Sequence, residues 1–210
     1  MVRKPFSLGE DSDTRNPSQM DEGKTRECYN YDKDNSAKAK RRNSQKQEDR
    51  WAKLVGGNTQ VASGAFWHSK GDVKEKVVEI LSNFCWENKY TSKGKFRIKK
   101  KTWLGIKEKA YTQGNIPGMH IELQHPKFDD FIRLVVISKQ EFDGLVKNTT
   151  EYEIETKETS YKSFRIEGDK WRRFEKETYG KNKAPIMEIK LIEHDITWIL
   201  LSEEEFLQLR

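Results

Sequence analysis

Glu87 and Lys89 stand two residues apart in the run Phe84-Cys85-Trp86-Glu87-Asn88-Lys89-Tyr90, and Gly71-Asp72 ends fifteen residues before Glu87. Read as a strand, the run has a period of two. Phe84 and Trp86 then share one face, and Cys85, Glu87 and Lys89 share the other, with Glu87 and Lys89 about 7 Å apart. A carboxylate and an ammonium so placed suit two groups sharing one phosphate. Lysine serves better there than arginine, because its compact ammonium can sit beside a water and shifts its pKa when desolvated. As a bare pattern this is weak. Charged residues make up 35% of the chain, so an acid followed two positions later by lysine is common in it. The elements around the pattern give it weight.

Upstream, Ser44 with Gln47 forms a capping-box start, and Gly56-Gly57 supplies a C-terminal stop, so a helix is expected from Ser44 to Val55. At 100° per residue Glu48 falls on the stripe of Trp51, Ala52 and Val55, with Lys46, Arg50 and Lys53 on the other side. A carboxylate on an inward stripe is costly unless something pairs with it. Glu48 is therefore either a capping or salt-bridged residue or a metal ligand. Between this helix and Asp72 lies a Gly- and Ser-rich loop, residues 60–72, whose small residues allow close backbone approach to a phosphate. Val77–Leu81, a turn at Ser82-Asn83 and the run from Phe84 read best as a β-hairpin, with a short helix over 74–81 as the alternative, since Val73, Val77, Ile80 and Leu81 also fit that period. Downstream, Lys93, Lys95, Arg97, Lys99, Lys100 and Lys101 make a dense basic patch. Such a run usually means solvated charge, but its position straight after the Glu-x-Lys strand favours phosphate contact. A helix from about Thr102 carries Trp103, Ile106, Ala110 and Tyr111 on one stripe and breaks at Ile116-Pro117. Strands are expected at 118–123 and 131–137, then a short helix capped by Ser138.

The chain has 210 residues, enough for one domain with an appended lobe, and a net charge of +6 that favours a polyanionic partner over an acidic substrate pocket. Cys28 and Cys85 have no paired spacing, which points to a reduced, cytoplasmic protein rather than a zinc site. No apolar run approaches the length of a membrane span or a signal core. Residues 1–43 are polar and without apolar periodicity and read as a disordered basic tail.

The final third repeats the middle third. Glu87-x-Lys89-x-Thr91-Ser92 matches Glu155-x-Lys157-x-Thr159-Ser160 at an offset of 68, and seven of the first twelve aligned positions are identical. Trp103, Pro117, Met119 and Ile121 match Trp171, Pro185, Met187 and Ile189 at the same offset. The repeated unit is strand, helix, strand, strand and short helix. The second copy lacks the upstream Gly-Asp and any partner to Glu48. Glu155 and Lys157 are therefore expected to serve in structural support or as a second DNA-contacting surface, with an intrachain mimic of a dimer partner given less weight.

The order Glu48, Ser63-Gly64-Ala65, Lys70-Gly71-Asp72, Glu87-x-Lys89-x-Thr91, basic stretch and helix resembles the phage-type Holliday-junction-resolvase-like branch of the PD-(D/E)XK nuclease superfamily. The resemblance covers roughly residues 44–146. It implies an α/β fold, a restriction-endonuclease-like mixed sheet flanked by helices, here with a duplicated C-terminal β-α-β-β-α half-unit. The boundaries are a tail at 1–43, a nuclease core at 44–148 and a degenerate repeat at 149–210. It also implies Mg²⁺ or Mn²⁺ held by Asp72 and Glu87, with Glu48 as a further ligand and the backbone carbonyl of Asn88 completing the site. Lys89 would orient the attacking water or offset charge on the phosphorane. Ser63, Lys70, Thr91 and the basic patch would touch DNA. The function implied is metal-dependent hydrolysis of branched DNA in recombination or repair, in the host cytoplasm if phage-encoded, with a homodimer as a reasonable expectation. The alternatives are the same chemistry on single strands or flaps, or a non-catalytic nucleic-acid-binding protein on a nuclease fold.

Overall fold

The computed structural model describes residues 36–59, 73–75, 84–124, 130–146 and 151–209. Helix α1 (Ala37–Leu54) starts seven residues before the expected Ser44. Its cap is Ser36, whose hydroxyl accepts from the Ala39 backbone N–H at 3.2 Å, and the Ala-, Lys- and Arg-rich segment behind it has high helix propensity. The last residues counted into the polar tail, 36–43, are thus capped helix, and the basic cluster Lys38–Arg42 lies on its first turns. Gly56, at φ +66, ends the element as expected.

The strands β1 (Gly57–Thr59), β2 (Val73–Glu75), β3 (Phe84–Thr91), β5 (Ile116–Gln124), β6 (Phe131–Ser138), β7 (Tyr152–Thr159), β9 (Ala184–Leu191) and β10 (Ile196–Ser202) form one mixed sheet in the order β1-β2-β3-β5-β6-β10-β9-β7. A separate ribbon pairs β4 (Lys95–Lys99) with β8 (Ser163–Glu167). Helices α2 (Lys100–Tyr111) and α4 (Gly168–Tyr179) follow the ribbon strands, and α3 (Lys139–Leu145) and α5 (Glu203–Gln208) follow β6 and β10. Residues 31–210 form one compact unit, so the segments 44–148 and 149–210 share a single sheet.

Both sheet faces are covered. On the front, Trp103 and Ile106 of α2, Trp171 of α4, and Ile98 and Ile166 of the ribbon pack on Met119, Ile121, Met187 and Ile189. On the back, Trp51 of α1, Phe142 of α3 and Phe206 of α5 pack on Phe84, Trp86, Val135 and Ile199. Alternation along β6, β9 and β10 divides their side chains between these two cores. No helix among the described residues is long and apolar enough to cross a membrane.

Several expectations differ in detail. The strand paired with β3 is β2, with Val73 opposite Trp86 and Lys74 opposite Cys85; the expected strand at 77–81 and its turn lie outside the described residues. Helix α2 ends at Tyr111, before Gly114 at φ +67. Ile116-Pro117 therefore opens β5 rather than breaking the helix. Tyr111 is half-exposed at 50% instead of joining the inward stripe, and the Lys107 ammonium lies 5.5 Å from its ring centre.

The registers of the two halves correspond. β3 runs parallel to β5 with Phe84 opposite Ile116, and β7 runs parallel to β9 with Tyr152 opposite Ala184, each residue 68 positions on. Thr91 Oγ1 accepts from Lys93 N at 3.2 Å, and Thr159 Oγ1 accepts from Tyr161 N at 3.1 Å. Gly114 and Asn182 both take left-handed conformations. Arg97 faces Arg165 at the midpoint of the ribbon, and Val136 faces Leu200 at the centre of the sheet.

Candidate active site on strand β3

β3 is a strand because apolar and β-forming residues alternate from Phe84 to Thr91, and its parallel pairing with β5 fixes its faces. Phe84 and Trp86 turn to the back, where Trp86 lies edge-on to Trp51 with ring centres 4.9 Å apart. Glu87 and Lys89 turn to the front, and Lys89 Nζ donates to Glu87 Oε1 at 2.5 Å. Their side chains are 17% and 32% exposed, so the pair is screened from bulk water yet reachable from it. The strand geometry expected for these two residues is present. Glu155 and Lys157 form the same ion pair on β7, more openly exposed.

The basic patch surrounds this strand. Lys93, Lys95, Arg97, Lys99 and Lys101 are exposed and Lys100 is half-buried. Ile98 points inward and Phe96 packs against the front core, so the intervening cations leave from the ribbon's outer face. Asp72, Ser63 and Lys70 lie outside the described residues.

Glu48 is half-buried on α1, and it engages other groups there. α1 packs behind the sheet, whereas Glu87 and Lys89 leave from the front. Asn88 carries a buried side chain on the back of β3.

The inward stripe of α1 differs from the expected one. Arg50, placed outward by the helical wheel, is buried at 8%, together with Ala39, Asn43, Gln47 and Trp51. Arg50 Nε donates to Glu122 Oε1 at 2.8 Å, and its two terminal nitrogens donate to Glu203 at 2.7 and 2.5 Å. His120 Nε2 donates to Glu203 Oε2 at 2.7 Å, which leaves Nδ1 to accept from Gln47 Nε2 at 3.1 Å. The His120 ring stacks on Trp51 with centres 4.2 Å apart. Gln47 Nε2 also donates to the Lys89 carbonyl at 3.1 Å. This network ties α1 to the backbone of the candidate catalytic strand.

Burial alone would raise the Glu203 carboxyl. Hydrogen bonds from Arg50 and His120, with the Arg50 charge, instead hold it well below the ordinary carboxylate range. His120, Glu122 and Glu203 bring three ligand-type side chains within 4.8 Å of one another. The space among them is taken by the Arg50 guanidinium, so the group is an ion-pair cluster and not a cation site. The visible sign of it in sequence is His120 and Glu122 at alternate positions of an otherwise apolar strand.

No protein-family model matches the chain, and no curated protein matches it.

Proposed function

We propose that this chain is a metal-dependent DNA endonuclease acting on branched DNA, with its chemistry in the first of two duplicated half-units. The observation that carries this is the half-buried Glu87–Lys89 pair on the front of β3, joined at 2.5 Å and flanked by the basic ribbon. Chain connectivity supports it further. Asp72 is bonded to Val73, and Val73 pairs with Trp86, the neighbour of Glu87.

The described part of the donor set suits a hard divalent cation. Glu87 offers carboxylate oxygens in a partly solvated place, and Mg²⁺ takes one or two protein carboxylates while keeping several waters. Asp72 and Glu87 would hold it, with the Asn88 carbonyl and Glu48 as the further contacts the resemblance implies. When bound, such an ion polarises the phosphoryl oxygen and acidifies a water. Lys89 is aimed by its hydrogen bond to Glu87 and would offset the charge that gathers on the phosphate. The ribbon cations hold the sugar–phosphate backbone in register.

The shared 68-residue shift of both parallel registers and of the turns after β3 and β7 supports reading the two halves as a duplication. The two halves then lie about an internal pseudo-twofold through Arg97/Arg165 and Val136/Leu200. One chain thereby supplies the two-fold arrangement that a homodimer would otherwise provide.

The test is a labelled four-way junction incubated with Mg²⁺ or Mn²⁺. Wild type is expected to cut it, and Asp72→Ala and Lys89→Ala to bind it without cutting, while Lys157→Ala still cuts. Equal cutting of linear duplex removes the junction part. Preference for flaps or single strands changes the substrate. Absence of hydrolysis with either metal leaves only a nucleic-acid-binding protein.

A further inference from the structure

The second half has its own cleft where the first half has the candidate active site. It lies between β7, ribbon strand β8 and α4, with a volume of about 660 Å³. Trp171, Phe174 and Met187 are among its apolar lining, and Glu155 and Lys157 stand in it as Glu87 and Lys89 stand on β3. We propose that this cleft is a second nucleic-acid site, one that grips backbone phosphates and does not hydrolyse them. The choice of DNA as ligand rests on the nuclease reading of the first half.

Charge pairing decides which groups are available. Of the four carboxylates lining the cleft, Glu153 is tied to Lys181 at 2.6 Å, Glu155 to Lys157, and Glu167 to Lys170 at 3.0 Å, while the fourth, Glu177, is exposed to solvent one helical turn from Arg173 on α4. Arg165 and Arg173 also line it, are exposed, and have no carboxylate partner among the described residues. Arg165 also stands directly opposite Arg97 in the ribbon, both side chains on its outer face. Like charges directly opposite in an antiparallel pair destabilise it. A phosphate between them removes that repulsion, and the guanidinium fork matches phosphate oxygens in a bidentate way. The outer-face cations Lys95, Arg97 and Lys99 continue the positive surface from this cleft across the pseudo-twofold to the first half. A molecule with two backbone segments related by a two-fold, as in a junction, meets both halves at once. The cleft has no counterpart of Gly71-Asp72, so the strand it grips stays whole.

The experiment measures binding without metal, by fluorescence anisotropy in EDTA, on a four-way junction and on a linear duplex of equal arm length. Arg165→Ala/Arg173→Ala is expected to weaken junction binding about tenfold and to lower the salt slope by about two, one for each lost phosphate contact. The loss on the linear duplex is expected to be smaller. Lys183→Ala/Lys190→Ala removes the same charge outside the cleft and is the control. Arg165→Thr is expected to melt at or above the wild-type temperature, because it relieves the Arg97 repulsion. Junction binding by the double variant equal to that of wild type or of the control overturns the proposal, and so does a lowered melting temperature of Arg165→Thr, which assigns the arginine to structure. If wild type binds junctions through these arginines but hydrolyses nothing, the nuclease reading fails and this inference stands.

Discussion

Arg50 shows how one buried charge fixes several parts of the chain. It sits on α1, and it is neutralised by Glu122 of β5 and by Glu203, the first residue of α5. A buried ion pair is weak evidence for stability against an apolar replacement, but removing one partner leaves a charge uncompensated. Glu203→Ala is therefore expected to destabilise the protein by about 3 kcal/mol in urea unfolding, with Glu122 keeping the loss at the lower end. The pH dependence has a definite sign. The Glu203 carboxyl is held below its ordinary range in the folded state. Its contribution is fully present above the ordinary carboxylate pKa and is lost as pH falls through and below it. The urea midpoint of wild type should drop on acidification from about pH 5, the upper end of that loss, and Glu203→Gln should flatten the drop. An unchanged slope in the variant would place the acid sensitivity elsewhere.

At the scale of elements, β3, β5, β6 and the helices α2 and α3 were legible because their determinants are local. Alternation fixes the strand faces, and the Ser138 hydroxyl caps α3 by accepting from the Glu141 N–H at 3.2 Å. The inward face of α1 was not legible. A buried arginine is rare, and its partners lie 72 and 153 residues away along the chain, so no window around α1 contains them. Nor did the repeat reveal how its helices pack. Phe206 of α5 meets Phe84 of β3 at 5.5 Å, and Phe142 of α3 meets Tyr152 of β7 at 5.9 Å. Each short helix thus covers the first strand of the other half. Phe206 is fully buried and also contacts Trp51 and Trp86. Phe206→Ala is expected to cost about 3–5 kcal/mol and to raise amide exchange in β3 more than in β7, its nearer neighbour in sequence. Loss of protection centred on β7 would contradict the crossed arrangement.

The crossed contacts make the molecule indivisible at the point where the sequence repeat suggests a boundary. A fragment ending near residue 148 keeps α1 and β1–β6, but it loses β10 from the edge of β6 and β8 from β4. It also loses Glu203 from Arg50 and Phe206 from the back core. The bared strands β6 and β4 would present unpaired backbone edges above apolar faces, a template for aggregation. Residues 149–210 alone fare no better, since Trp198, Leu200 and Met187 pack in the same front core as Trp103 and Met119. Expressed separately, both fragments are expected to lack cooperative unfolding transitions. Mixed or co-expressed, they should assemble through β6–β10 and β4–β8 and recover the circular dichroism of the intact chain. A fragment 1–148 that folds cooperatively by itself would show instead that the first half carries a self-sufficient core. The two segments would then be domains that dock late. Failure of both fragments with recovery on mixing is the result that matches one core built by two halves, each completing the sheet and covering the strands of the other.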